Sequence, residues 1–94
     1  MRYEISARAR ADVKAILHYT LEHFGDGQAE EYLDGLYYSF ELLTDNPELG
    51  RRLEGDIRYY VYRSHYVFYE IRKDVLRIAT IRSSRQQWPE AWRK

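Results

Sequence analysis

The sequence predicts an α+β domain in two layers, of order β-α-α-β-β-β, with a helical hairpin packed on an antiparallel sheet. Three observations carry that expectation. Residues 57–82, IRYYVYRSHYVFYEIRKDVLRIATIR, are dense in Tyr, Val, Ile and Phe, which suit a pleated, half-buried surface. The two stretches before it, from Ser6 to Gly25 and from Asp26 to Asn46, repeat apolar residues at the helical period instead. The chain opens on Arg2-Tyr3-Glu4-Ile5, whose alternation of polar and apolar residues is that of a strand.

In the first strand Tyr3 and Ile5 point inward. Ser6 is the N-cap of the helix that follows, and Ala9, Val13, Ile16, Leu17, Thr20 and Phe24 make its buried stripe. Gly25 ends that helix. Asp26 caps the next one, with Glu30 and Glu31 in its early turns. Its stripe is Ala29, Tyr32, Leu33, Leu36, Phe40 and Leu43. Gly35 costs about 1 kcal/mol against alanine inside a helix, and marks a close helix–helix approach. Asn46-Pro47 stops the helix, because a residue before proline is pushed out of the α region. Residues 47–56 read as a polar loop.

Polar breaks at Ser64-His65 and Lys73-Asp74 divide the aromatic stretch into three strands, Ile57–Arg63, Tyr66–Arg72 and Val75–Arg82. In the last, Leu76, Ile78 and Thr80 share one face, while Val75, Ala79 and Ile81 share the other with Arg77. Both faces are partly apolar, so one meets the helices and the other awaits a partner. Following chain direction, the first strand pairs antiparallel with the last. That leaves Ile57–Arg63 as the far edge.

Ninety-four residues are enough for one core, and residues 1–94 are expected to form a single domain. The absence of cysteine excludes a disulfide framework and thiolate metal sites. His18 and His23 are five apart on a helix and point in different directions, so no metal site is expected. Nor is a cofactor expected, because no glycine-rich loop sits between a strand and a helix. There is no run of membrane-spanning length and no secretory signal pattern, which points to a soluble, cytoplasmic protein. Charge is lopsided: residues 1–50 hold four basic and ten acidic side chains, residues 51–94 eleven and five. This predicts an anionic helical side and a cationic sheet side, or simply two solvated faces of opposite sign.

The arginines carry what chemistry there is. Arg58, Arg63, Arg82 and Arg85, with Arg51 and Arg52 before them, can converge near strand ends and bind phosphate or carboxylate through guanidinium forks. Arg58, Arg72 and Arg77 equally fit outward strand positions that protect a sheet from aggregation. Tyr60 and Arg63, on the supposed edge strand, suit an interface. The tail from Ser83 onward combines Arg85, Trp88, Trp92 and Arg93, residue types enriched among binding hot spots. Its tryptophans can instead fold back to cap the core.

Several runs together resemble the RelE/ParE toxin superfamily, and its ParE branch in particular. They are AxxDVxxILxYTxxxFG (Ala9 to Gly25), QAxxYLDxL (Gln28 to Leu36), NPELGRR (Asn46 to Arg52), and RYYVYRSHYVFYEI (Arg58 to Ile71) paired with RIATIR (Arg77 to Arg82). The resemblance implies the toxin of a type II toxin–antitoxin pair, held by a cognate ParD-like antitoxin and poisoning DNA gyrase by binding. Antitoxin contacts are expected at Arg58, Tyr60, Arg63 and Arg82, and target contacts at Arg85, Trp88, Trp92 and Arg93. Neither sequence-specific nucleic-acid binding nor a membrane partner is expected. The alternative is a RelE-like endoribonuclease that cuts messenger RNA on the ribosome, using Arg63, Arg82 and Arg85. Cleavage needs a general acid or base to activate the 2′-hydroxyl. The histidine often found after the last strand in such enzymes is replaced by Ser83 and Ser84, so no catalytic residue is assigned for the gyrase reading.

Overall fold

The computed structural model describes residues 1–84. Within them the order is β1 (Arg2–Ile5), α1 (Ala7–Phe24), α2 (Asp26–Asp45), a 3-10 turn (Pro47–Leu49), β2 (Arg51–Glu54), β3 (Ile57–Tyr62), β4 (His65–Arg72) and β5 (Val75–Ser83). The strands form one sheet in the order β1-β5-β4-β3-β2. The two helices pack on it, so the two-layer α+β arrangement expected from the sequence holds.

Local chemistry starts and stops the helices. Ser6 caps α1 by accepting from the Ala9 amide at 3.0 Å, and its own hydroxyl donates to the Ala79 carbonyl at 2.7 Å. Gly25 sits at φ 89°, a region open to glycine. Its N–H closes α1 on the Leu21 carbonyl, and its carbonyl accepts from Ala29 to begin α2. One glycine therefore both ends α1 and caps α2. Asp26 is the first residue of α2 and not its cap. At the far end Asn46 returns both its backbone and side-chain N–H groups to the Leu42 carbonyl.

Five expectations are corrected. The stretch expected to be a loop contains β2, and this extra strand reverses the chain once more. As a result β5 runs parallel to β1, in register Ile5↔Ile78, while the remaining pairings are antiparallel. For the same reason β3 is an interior strand and β2 is the edge. The break between β3 and β4 falls at Arg63-Ser64, with Tyr62 facing His65. Finally, a bulge in β5 shifts the register between Phe68↔Thr80 and Tyr69↔Ile78, leaving Ala79 as an extra residue. Beyond it the faces exchange, and Ile81 joins Leu76 and Ile78 in the core.

That core joins Ala9, Val13 and Ile16 of α1 to Leu36, Phe40 and Leu43 of α2 and to Val67, Tyr69, Leu76, Ile78 and Ile81 of the sheet. Tyr60 and Tyr62 of β3 pack against it, so Tyr60 faces the helices and is not an outward edge residue. Gly35 does not meet α1. A Cβ there would fall on the hydroxyl of Tyr62, so the glycine admits a strand side chain to the helix surface. Phe24, assigned to the α1 stripe by spacing, is 59% exposed and does not join the core.

Candidate functional site

The exposed Phe24 borders a groove of about 580 Å³ between α1 and the C-terminal end of β5. Strand length creates it. β1 has four residues and covers β5 only from Val75 to Ile78, so the rest of that edge has no strand beside it. Helix α1 passes over it instead, contributing Ile16, Tyr19, Thr20 and Phe24 to one wall. Ser64, His65, Ile81 and Ser83 form the other. Tyr19 is 53% exposed, so the groove carries aromatic surface at its mouth above a floor of buried aliphatic side chains.

Asp12 seals the sheet edge at this point. One carboxylate oxygen accepts from the Ile81 amide at 2.9 Å and from the Thr80 hydroxyl at 2.7 Å, and the other meets Arg8 at 3.3 Å. One N–H that an added strand would use is therefore already occupied.

At the β3–β4 turn lies a second group of side chains. The Tyr32 hydroxyl is hydrogen-bonded to His65 Nδ1 at 2.6 Å and lies 3.3 Å from Ser64 Oγ. Burial lowers the His65 pKa below its ordinary value, which favours the neutral ring. Tyr62 donates to the Tyr32 carbonyl at 2.8 Å, and its own pKa is raised by burial, with Arg63 opposing. Arg63 occupies the turn at φ 51°, a conformation that non-glycine residues adopt at a cost. Its guanidinium lies 5.6 Å from both the Tyr32 and Tyr62 rings and 3.7 Å from Glu31.

The predicted arginines do not converge. Arg63 and Arg82 lie near the same end of the sheet, but Arg82 pairs with Tyr66 on the face away from the helices, while Arg63 turns to α2. The Arg82 Nε is buried and has no hydrogen-bond partner among the described residues. Arg58 is five residues up the chain from Arg63, roughly 16 Å at strand rise, and donates to the Gly50 carbonyl at 2.7 Å. Arg85, Trp88, Trp92 and Arg93 lie outside the described residues. Among the described residues there is no cluster of His, Cys, Asp or Glu that could hold a metal ion.

Sequence reasoning missed Asp12, Tyr32 and His65 as members of a site. Asp12 stands beside the apolar stripe of α1, and His65 follows a turn. Only the register His65↔Ser83 shows that an imidazole stands beside the end of the last strand, where none was expected.

The comparisons agree with this architecture. A chain of the chromosomal ParDE toxin–antitoxin system from P. aeruginosa superposes with a TM-score of 0.78 at 17% identity, covering 88% of this chain and 95% of that one. YafQ from E. coli strain BL21(DE3) superposes at 0.57 with 20% identity, over 86% and 90% of the two chains. At such identities they speak for the fold alone. Toxin ParE1 of Caulobacter vibrioides is 31% identical over 81 residues, 81% of this chain and 84% of its own length. Residues 3–88 match the family model of ParE toxins. With a relative of this identity and a family match over most of its residues, the chain belongs to the ParE toxin family of type II toxin–antitoxin systems.

Proposed function

We propose that this chain acts by binding DNA gyrase, and that a cognate antitoxin neutralises it by filling the groove between α1 and β5. The observation that supports the antitoxin half is the exposed pair Tyr19 and Phe24 on the wall of an apolar groove, surface that a chain working alone gains nothing by exposing. Because Asp12 occupies the Ile81 amide, the antitoxin segment enters as a helix that presents apolar side chains, not as an added strand. Its acidic residues pair with Arg63 beside the groove, and folding on binding lets a short segment cover a large surface. Gyrase as target is the action implied by the ParE branch. Expression without antitoxin tests it: cleaved DNA and SOS induction with intact messenger RNA are expected.

A second reading, ribosome-dependent RNA cleavage, has one observation in its favour. His65 is neutral and stands across from Ser83, so the hairpin end holds a group able to take a proton, with Arg63 and Arg82 as nearby cations. Codon-spaced cuts in ribosome-bound messenger RNA that disappear in His65→Ala or Arg82→Ala would decide for the nuclease.

A further inference from the structure

The NPELGRR run builds a second site at the other end of β3. The Tyr69 side chain is 0% exposed, and its hydroxyl donates to the Pro47 carbonyl at 2.6 Å and accepts from the Gly50 amide at 2.8 Å. A Cβ at Gly50 would overlap that hydroxyl, so only glycine closes the turn this tightly. The Gly50 carbonyl then accepts from Arg58 Nη1 at 2.7 Å. One guanidinium is thus fixed by a rigid turn. Across the strands, Arg52 stands directly opposite Arg58.

Like charges directly opposite on neighbouring strands destabilise a sheet. Neither arginine forms an ion pair among the described residues, although two carboxylates line the same 230 Å³ pocket. Glu70 is held by Arg72 at 3.4 Å and Arg77 at 3.9 Å. Asp56 is exposed at the mouth. The two arginines therefore line one pocket in which, among the described residues, no carboxylate lies within ion-pair distance of either.

We infer that the pocket between Arg52 and Arg58 binds a dianionic oxyanion of the phosphate class. A carboxylate offers two oxygens in one plane and matches one fork. A tetrahedral dianion offers oxygens to both forks and balances both charges. The Tyr69–Gly50 turn supplies the rigidity, since Arg58 is oriented before any ligand arrives. The inference does not depend on the groove or on gyrase.

Titration of the full chain with inorganic phosphate at about pH 8, where phosphate is dianionic, tests it by heteronuclear NMR. Saturable shifts centred on the Gly50 and Gly55 amides are expected. Acetate and dimethyl phosphate, a monoanionic diester, should bind much more weakly at matched ionic strength. Arg52 is exposed, so Arg52→Gln should fold and bind phosphate about tenfold more weakly, the loss of one charge-assisted contact. Arg63→Gln should bind as the parent does. Arg52→Gln binding at parental affinity, or phosphate shifts spread without saturation over the arginines, would overturn the site. Equal binding of the diester would overturn the dianion assignment and point to a nucleic-acid backbone.

Discussion

Burial favours the neutral form of His65, whose Nδ1 lies 2.6 Å from the Tyr32 hydroxyl. The folded pKa lies below the unfolded value of 6.5, so the folded state binds fewer protons. The stability this provides is fully present above the unfolded pKa. It is lost as pH falls through that value towards the folded one. Urea unfolding in steps from neutral pH down to about pH 5, the range in which histidine titrates, should show falling stability in the parent. His65→Gln should flatten the profile. A parent and variant with the same slope would show that another group is responsible.

At the scale of elements, small features decide which surfaces meet. Gly35 lets Tyr62 of β3 reach the Tyr32 carbonyl of α2. Gly35→Ala should gain about 1 kcal/mol of helix propensity yet lose more through overlap, for a net destabilisation of roughly 1–2 kcal/mol. The hydroxyl is tethered and cannot simply swing away. In a Tyr62→Phe background the same substitution should cost less, which a double-mutant cycle measures. The bond between α1 and β5 rests on Asp12. Asp12→Ala leaves the Ile81 amide and the buried Thr80 hydroxyl without their acceptor, at about 1–3 kcal/mol. Faster hydrogen exchange at Ile81 should accompany the loss. Unchanged exchange there would mean that a water replaces the carboxylate.

Over the whole molecule, charge separates by element and not by layer. Helix α2 carries Asp26, Glu30, Glu31, Asp34, Glu41 and Asp45 with no cation, whereas α1 carries Arg8, Arg10 and Lys14 against Asp12 and Glu22. The anionic helical side expected from the sequence is therefore α2 alone. The same view distinguishes two aromatic residues as probes of the antitoxin. Phe24 is exposed on the groove, and Phe24→Ala should weaken antitoxin binding by about 1–3 kcal/mol, as for an interface anchor, with little change in Tm. Tyr60 packs on the core, so Tyr60→Ala should lower Tm even without antitoxin. Parental antitoxin affinity in Phe24→Ala would remove the groove from the interface.

The sequence by itself determined the helices, four of the strands and most of the core stripe, because apolar period and caps act over a few residues. Ser6, Gly25 and Asn46-Pro47 mark the helix ends through bonds to neighbours within four positions in the chain. Tertiary structure alone decided strand direction, faces and site. Four residues, Arg51–Glu54, whose single apolar side chain Leu53 gives no alternation to read, reversed the sense of every later strand. One extra residue at Ala79 moved Ile81 into the core, and a pattern of period two cannot reveal where it is interrupted. The groove exists because β1 ends four residues in and α1 continues past it, a mismatch of lengths between elements distant in sequence. Asp12 with Ile81, and Tyr32 with His65, are pairs brought together only by packing, so their chemistry has no local signature to read.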